Sequence, residues 1–370
     1  MPDLALNFVQ SVRPIHGALD YNELARLGLH PDEILDFSVN SNPYGPSPAV
    51  RAALARLAIE RYPDRECLQL RQAILDYELP YAGLSLSSLV CGNGVSELIW
   101  ALAHAYLGSG VRVALLGPTF GEYAVACRSV GADIVEFRAD SEGNFQFDLV
   151  AMLAWLDAQK PRMLWFCNPN NPTGGWLDLH RVSLLARACQ DLGTLLIVDE
   201  SYYHFVSPPE LFSAVELLRT SVAPYIVVLR SLTKDFALAG LRLGYAVSTP
   251  AIIERLSAYL PSWNVNAAAQ LAGCAALADR VYLAASLEKL AVERRAFFAA
   301  LAATGCRVIS SRTHYCLIEV GNAAQVRRQL LERKILVRDC TSFGLPSFIR
   351  VATRPVPDWQ RLLQALQEVV

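Results

Sequence analysis

Met163-Leu164-Trp165-Phe166-Cys167-Asn168-Pro169-Asn170-Asn171-Pro172-Thr173-Gly174 changes character at its midpoint. The first half is a continuous apolar run of strand length, without the alternation of a half-exposed strand. The second half is turn chemistry, because each proline fixes its own backbone and restricts the residue before it. A strand apolar on both faces belongs in a parallel sheet covered by helices. Working outward, similar runs recur at 111–116, 134–138, 195–199 and 226–229, each bounded by Gly, Pro, Asn or Asp, and 241–248 reads as a further strand. Amphipathic stretches at 147–158 and 179–192 lie between them. This alternation predicts an α/β body with a mostly parallel sheet.

The last third differs. A helical stretch over about 265–301 precedes strand-like pieces at 307–310 with 315–320, at 335–338 and at 348–352, and a helical tail at 358–369. The expected organisation is therefore a large sheet-bearing domain over 46–255 and a smaller C-terminal α+β domain over 256–370. The loop-rich segment 1–45 is expected to pack on the small domain or on a partner subunit.

Composition narrows the function. Of 370 residues, 53% are hydrophobic and 18% charged, ample for a large core. A net charge of −2 supplies no basic field for a nucleic-acid backbone. No apolar run approaches the ~20 residues of a membrane helix. Met1-Pro2-Asp3 does not open a basic, then apolar, leader. Nine widely spaced cysteines with no C-x-x-C predict neither a disulfide framework nor a metal site. A cytoplasmic chain is expected, with no nucleic-acid or membrane partner. Only four of the 33 basic residues are lysines (Lys160, Lys234, Lys289 and Lys334), so a lysine-based chemistry has few places to reside.

In such a sheet, ligands bind beyond the carboxyl ends of the strands. There the chain places Asn171, then Asp199-Glu200-Ser201-Tyr202, then Ser231-Leu232-Thr233-Lys234, then Gly240-Leu241-Arg242. An amide, a carboxylate, a phenol, an amine and a guanidinium suit pyridoxal phosphate. That cofactor needs a lysine for a Schiff base and a carboxylate facing its pyridine nitrogen. Ser231 and Arg242 suit its phosphate, as does the helix start after Gly92-Asn93-Gly94-Val95-Ser96. Pro118-Thr119-Phe120-Gly121-Glu122-Tyr123 offers an aromatic plane. Ser231-Leu232-Thr233-Lys234 also has the S-x-x-K form of serine β-lactamases, but no lysine is followed by Thr-Gly as those enzymes require.

N-P-N-N-P-T-G, D-E-S-Y and S-L-T-K followed by G-L-R-L-G-Y, in that order, resemble the fold-type I pyridoxal-phosphate enzymes of the class I/II aminotransferase superfamily. The resemblance runs from about His16 to the C-terminus. It implies a seven-stranded, mostly parallel sheet, Lys234 as the Schiff-base lysine and acid or base, and Asp199 on the pyridinium. It implies Asn171 and Tyr202 on the ring oxygen, Tyr123 as the stacking ring, and Val95, Ser96, Ser231 and Arg242 on the phosphate. Tyr62 matches a tyrosine that reaches the phosphate from the neighbouring subunit, implying a homodimer with shared sites. Arg350 matches a substrate-carboxylate arginine, Arg338 an arginine beside the substrate phosphate, and His16 and Asn40 further substrate contacts. Metal plays no part.

Two groups within the superfamily compete. His16-Gly17, Asp36-Phe37-Ser38-Val39-Asn40-Ser41-Asn42-Pro43 and Arg350-Val351-Ala352-Thr353-Arg354 resemble L-threonine-O-3-phosphate decarboxylases of cobalamin synthesis. On that reading the chain would release CO₂ from L-threonine O-3-phosphate and yield (R)-1-amino-2-propanol phosphate. The alternative is a histidinol-phosphate-type aminotransferase using 2-oxoglutarate and glutamate. A non-catalytic binding or regulatory protein on the same fold is the remote third. Ala18-Leu19 and Thr313-His314-Tyr315 depart from the pattern on the substrate side. Each residue also has a plainer reading: Asp199 as a helix cap, Asn171 as a turn residue, Tyr123 as core, Arg350 as a surface ion pair, and Glu200 and His314 as packing.

Overall fold

The computed structural model of the protein describes residues 16–80, 83–208 and 210–370. Seven strands build the large sheet: β1 Leu89–Gly92, β2 Arg112–Gly117, β3 Asp133–Arg138, β4 Met163–Cys167, β5 Leu195–Asp199, β6 Ile226–Ser231 and β7 Gly244–Val247. Their order is β1-β7-β6-β5-β4-β2-β3. From β6 across to β3 the pairings are parallel, and only β7 runs against its neighbours. The runs read from sequence fall in β2 to β7. β1 escaped the residue reading because it is short and sits between serines and glycines.

The doubly apolar runs are explained by two cores. Leu164, Phe166, Leu196, Val198 and Val228 face one side of the sheet. Trp165, Cys167, Leu195, Ile197, Val227 and Leu229 face the other. Side chains alternate between faces along a strand, and here helices cover both. Gly94–Tyr106, Gly121–Ser129 and Pro250–Ser257 cover one face, and Leu149–Gln159, Leu179–Leu192 and Leu68–Tyr77 the other.

The stretch expected as one long helix is two, Ala267–Ala278 and Arg280–Ala302. Asp279 divides them, its carboxylate accepting from the Tyr282 amide and from the Ser47 hydroxyl. The first helix, expected with the C-terminal unit, packs instead in the core of the large sheet. Gly273 lets it approach closely, since a Cβ there would lie 2.6 Å from Leu243 and 2.7 Å from Leu70.

A four-stranded antiparallel sheet follows, from β8 Val308–Ile309, β9 Tyr315–Glu319, β10 Arg338–Asp339 and β11 Phe348–Ala352, in the order β10-β11-β9-β8. The piece expected at 335–338 divides. Ile335–Leu336 pairs in parallel with Leu35–Asp36, whereas Arg338–Asp339 joins the sheet. Phe37 is buried in the core of this C-terminal unit, and its carbonyl accepts from the Ala352 amide. The N-terminal segment is thereby laid across the carboxyl edge of the large sheet.

Candidate active site

All large-sheet strands except β7 deliver their carboxyl ends to one edge, and β7 starts there. A cavity of about 380 Å³ opens at that edge. Every site residue named from sequence except Tyr62 lines it: His16, Asn40, Val95, Ser96, Tyr123, Asn171, Asp199, Tyr202, Ser231, Lys234, Arg242, Arg338 and Arg350. Tyr62 is 81% exposed and leans on Trp263 with ring centroids 5.0 Å apart.

Lys234 follows β6 and is largely buried. Its backbone carbonyl accepts from the Asn42 amide at 2.7 Å, which ties it to the N-terminal segment. Burial, with the charges of Arg350 and Arg242, lowers its amine to about 8. A site that disfavours the ammonium leaves a nucleophile and base near neutral pH. Asp199 ends β5. Burial raises its carboxyl, against the hydrogen bonds from Ser201 and Tyr123 and the charge of Lys234, which favour ionisation. The Tyr123 hydroxyl donates to Asp199 Oδ2 at 2.6 Å and the Ser201 amide to Oδ1 at 2.9 Å. Neither the helix-cap reading of Asp199 nor the surface-ion-pair reading of Arg350 survives, since both side chains are buried in the cavity wall.

Tyr123 lines the cavity with one face of its ring already covered. That ring stacks on Trp165, with centroids 4.9 Å apart and 11° between planes. Helix Gly121–Ser129 explains why: Tyr123 lies in its first turn and points inward, and Phe120, which precedes the helix, lines the cavity too. Phe120 is a site residue that the sequence pattern does not distinguish from Tyr123. Ser38, Ser201 and Thr233 are further cavity residues that sequence reasoning missed. Ser-x-Thr at 231–233 was their only visible signal, and Ser231 Oγ lies 2.7 Å from Thr233 Oγ1.

The start of helix Gly94–Tyr106 and Arg242 form an anion cradle. Gly94 has φ +76°, and a Cβ on it would lie 2.7 Å from Arg242 Nη2. The free amides of a helix start and a guanidinium meet here with no side chain between them. On the opposite wall, β10 and β11 pair Arg338 with Arg350 directly. Arg350 Nη1 donates to Asn171 Oδ1 and Nη2 to the Ser38 carbonyl, while its buried Nε has no partner among the described residues. Arg338 donates to Ser342 Oγ at 2.5 Å and to the His16 carbonyl at 3.5 Å. Asn40 Nδ2 reaches the Tyr202 hydroxyl at 3.4 Å. His16 Nε2 lies 3.1 Å from Glu122 Oε2, and its ring tilts over Phe120.

Two residues read as packing resolve differently. Glu200 forms a buried ion pair with Arg230, Nε to Oε2 at 2.7 Å. His314 is buried against Phe205 and outside the cavity. Burial and the charges of Arg350, Arg294 and Lys234 hold its imidazole well below the ordinary histidine range.

An amine, a carboxylate across the same cavity, an aromatic wall and an anion cradle fit pyridoxal phosphate. A family model described as aminotransferase class I and II matches residues 32–368. Histidinol-phosphate aminotransferase 1 of Dechloromonas aromatica is 31% identical over 374 residues, 100% of this chain and 99% of that protein. Histidinol-phosphate aminotransferase 2 of Pseudomonas aeruginosa is 32% identical, over 99% and 98% of the two chains. The crystal structure of histidinol-phosphate aminotransferase from Sinorhizobium meliloti in complex with pyridoxal-5'-phosphate superposes with a TM-score of 0.83 at 25% identity, covering 98% of this chain and 97% of that one.

These relatives overturn the expected threonine-phosphate decarboxylase, and with it the lyase and cobalamin assignments. The structure shows why the N-terminal motif misled. Ser38 lends its carbonyl to Arg350, and Asn42 Nδ2 donates to the Asp235 carbonyl at 3.0 Å and to Ser286 Oγ at 2.9 Å. These residues hold the N-terminal segment against Arg350 and the Lys234 loop, a role that either chemistry can use. The chain belongs to the class I and II aminotransferases, a pyridoxal-phosphate-dependent enzyme family.

Proposed function

We propose that the enzyme moves an amino group between a phosphorylated amine of the histidinol-phosphate type and 2-oxoglutarate. The observation that carries this reading is one cavity holding a depressed lysine amine at its floor and two neighbouring guanidiniums, Arg338 and Arg350, on its wall. The full-length relatives named histidinol-phosphate aminotransferases support it.

When bound, pyridoxal phosphate supplies a carbonyl for an amine and an electron-withdrawing ring next to the substrate's amino carbon. Lys234 holds the cofactor, then takes the proton from that carbon and returns it. Asp199, whose carboxylate accepts from Tyr123 and Ser201 against the pull of burial, would face the ring nitrogen. Asn171 and Tyr202 would contact the ring oxygen, and Phe120, beside Tyr123 on the cavity wall, would be the stacking ring. Val95, Ser96, Ser231 and Arg242 hold the cofactor phosphate. Arg350 and Arg338 are permanent cations that accept either a carboxylate or a phosphate, as two alternating anionic substrates require. His16 and Asn40 complete the substrate side. Tyr62 serves the site of a second copy in a homodimer. The nine cysteines are all free, which supports a reducing, cytoplasmic setting. No helix among the described residues is long and apolar enough to cross a membrane.

Histidinol phosphate and 2-oxoglutarate mixed with the enzyme should yield glutamate. No glutamate from this pair, with brisk formation from a non-phosphorylated amino acid, would move the assignment to another amine.

A further inference from the structure

His204 lies outside the cavity, in the short turn Tyr203–Phe205 that follows the loop bearing Asp199 and Tyr202. Both of its ring nitrogens face carboxylates. Nδ1 contacts Asp235 Oδ2, and Nε2 lies 3.3 Å from Glu78 Oε2. Asp235 is the residue after Lys234, and its other oxygen accepts from the Phe236 amide at 2.9 Å. Glu78 caps the end of helix Leu68–Tyr77. Side-chain exposure is 12% for His204, 2% for Glu78 and 6% for Asp235, so water does not mediate freely between them.

A neutral imidazole has one donor and one acceptor, and a carboxylate only accepts. A ring between two carboxylates satisfies both only when both nitrogens carry protons. The surrounding charges balance on that basis. Glu78, Asp235 and Glu200 face His204, Arg230 and Arg280, with Arg280 Nη1 2.6 Å from Glu78 Oε1 and Arg230 Nη1 3.7 Å from Glu78 Oε2. The rings of Tyr203 and Phe236 pack against the imidazole, Tyr245 lies behind Arg230, and Arg280, Glu288, Arg294 and His314 share with His204 the lining of a second cavity. Burial works against the imidazolium, but Glu78 and Asp235 outweigh it and hold His204 above the ordinary histidine range.

We propose that His204 is a positioning residue: as an imidazolium it clamps the loop carrying Lys234 to the loop carrying Asp199 and Tyr202, and anchors both to Glu78. The clamp joins the two strand-end segments whose separation sets where the lysine amine stands relative to the cofactor's ring. It also compensates Asp235, whose charge otherwise acts on the adjacent lysine. The link to turnover rests on the role of Lys234 proposed above, but the protonation of His204 does not.

The first test is a pH titration of ¹³C-labelled histidine rings in the holoenzyme, assigned by the signal missing in His204→Gln. His204 should remain protonated past the pH at which an ordinary histidine, near ~6.5, has titrated. Titration at the ordinary value overturns the clamp. In Asp235→Asn the amide can donate to Nδ1, so a neutral ring suffices and the signal should fall back toward that value; this assignment also serves if His204→Gln does not fold. In turnover, His204→Gln should lose ~10- to 100-fold in kcat, the scale of a misplaced reacting group, with KM within about twofold. The pH at which the yellow cofactor band changes should move upward. The double variant His204→Gln/Asp235→Asn should recover part of kcat, because the glutamine can then donate to Glu78 and accept from the amide introduced at position 235. Unchanged kcat and band in His204→Gln overturn the proposal. A Lys234→Ala protein that stays yellow would instead refute the lysine assignment.

Discussion

Lys234 differs from the chain's other three lysines by its surroundings. An ordinary lysine amine becomes neutral near ~10.4, whereas this one is held at about 8 by burial and two arginines. Uptake of pyridoxal phosphate by cofactor-free protein should therefore rise with pH and level off above about pH 8. Stopped-flow absorbance reads this directly, and a rate still climbing through pH 10 would contradict the depressed amine. Tyr123→Phe removes the hydroxyl that donates to Asp199 while leaving the stack on Trp165. Hydrogen bonds to charged groups contribute ~1.5–3 kcal/mol, so kcat should fall about 10- to 100-fold with the far-ultraviolet circular dichroism unchanged. An equal loss of folding stability and activity would mean that the ring only packs. Which of Phe120 and Tyr123 commits a ring face to the core was not legible in the sequence. Both are aromatic, and the choice depends on where helix Gly121–Ser129 begins, a boundary that side-chain identity does not fix.

Among the elements, helix Gly94–Tyr106 tests the anion cradle. Gly94→Ala forces a side chain into a left-handed backbone position, costing roughly 1–2 kcal/mol, and pushes against Arg242 Nη2. The variant should release pyridoxal phosphate on dialysis faster than the parent and be partly rescued by excess cofactor. The buried pair Glu200–Arg230 ties the loop after β5 to β6, with Ser213 Oγ donating to Glu200 Oε2 at 2.8 Å. Glu200→Ala leaves a guanidinium buried with less compensation and should cost ~3–5 kcal/mol in urea unfolding. Six of the seven large-sheet strands could be read because turn residues bound them and, in all but the edge strand β3, apolar residues fill both faces. Pairing could not: the division of the 335–338 piece between two sheets depends on Leu35–Asp36, three hundred residues away in the chain. The break at Asp279 was hidden because alanine-rich flanks continue the helical pattern on both sides.

For the whole molecule, sequence order was enough to gather the site because parallel strands must present their carboxyl ends together. It was not enough to separate two chemistries that use the same cofactor residues, and full-length comparison decided that. Tyr62, absent from its own cavity, makes assembly testable. If it serves a neighbouring copy, dilution below the dimer's dissociation constant should release cofactor in step with the appearance of monomer by light scattering. A monomer that retains cofactor at full strength would refute a shared site. The reversed strand β7 has a practical consequence. Each parallel strand sends its chain back by a crossover that turns at the far edge of the sheet, away from the chemistry. The link from β6 to β7 never leaves the near edge. Added residues at the far-edge turns should be carried as passengers, so tags, reporter peptides or new chain termini belong there, whereas even a short insertion between 232 and 243 would land inside the reaction chamber.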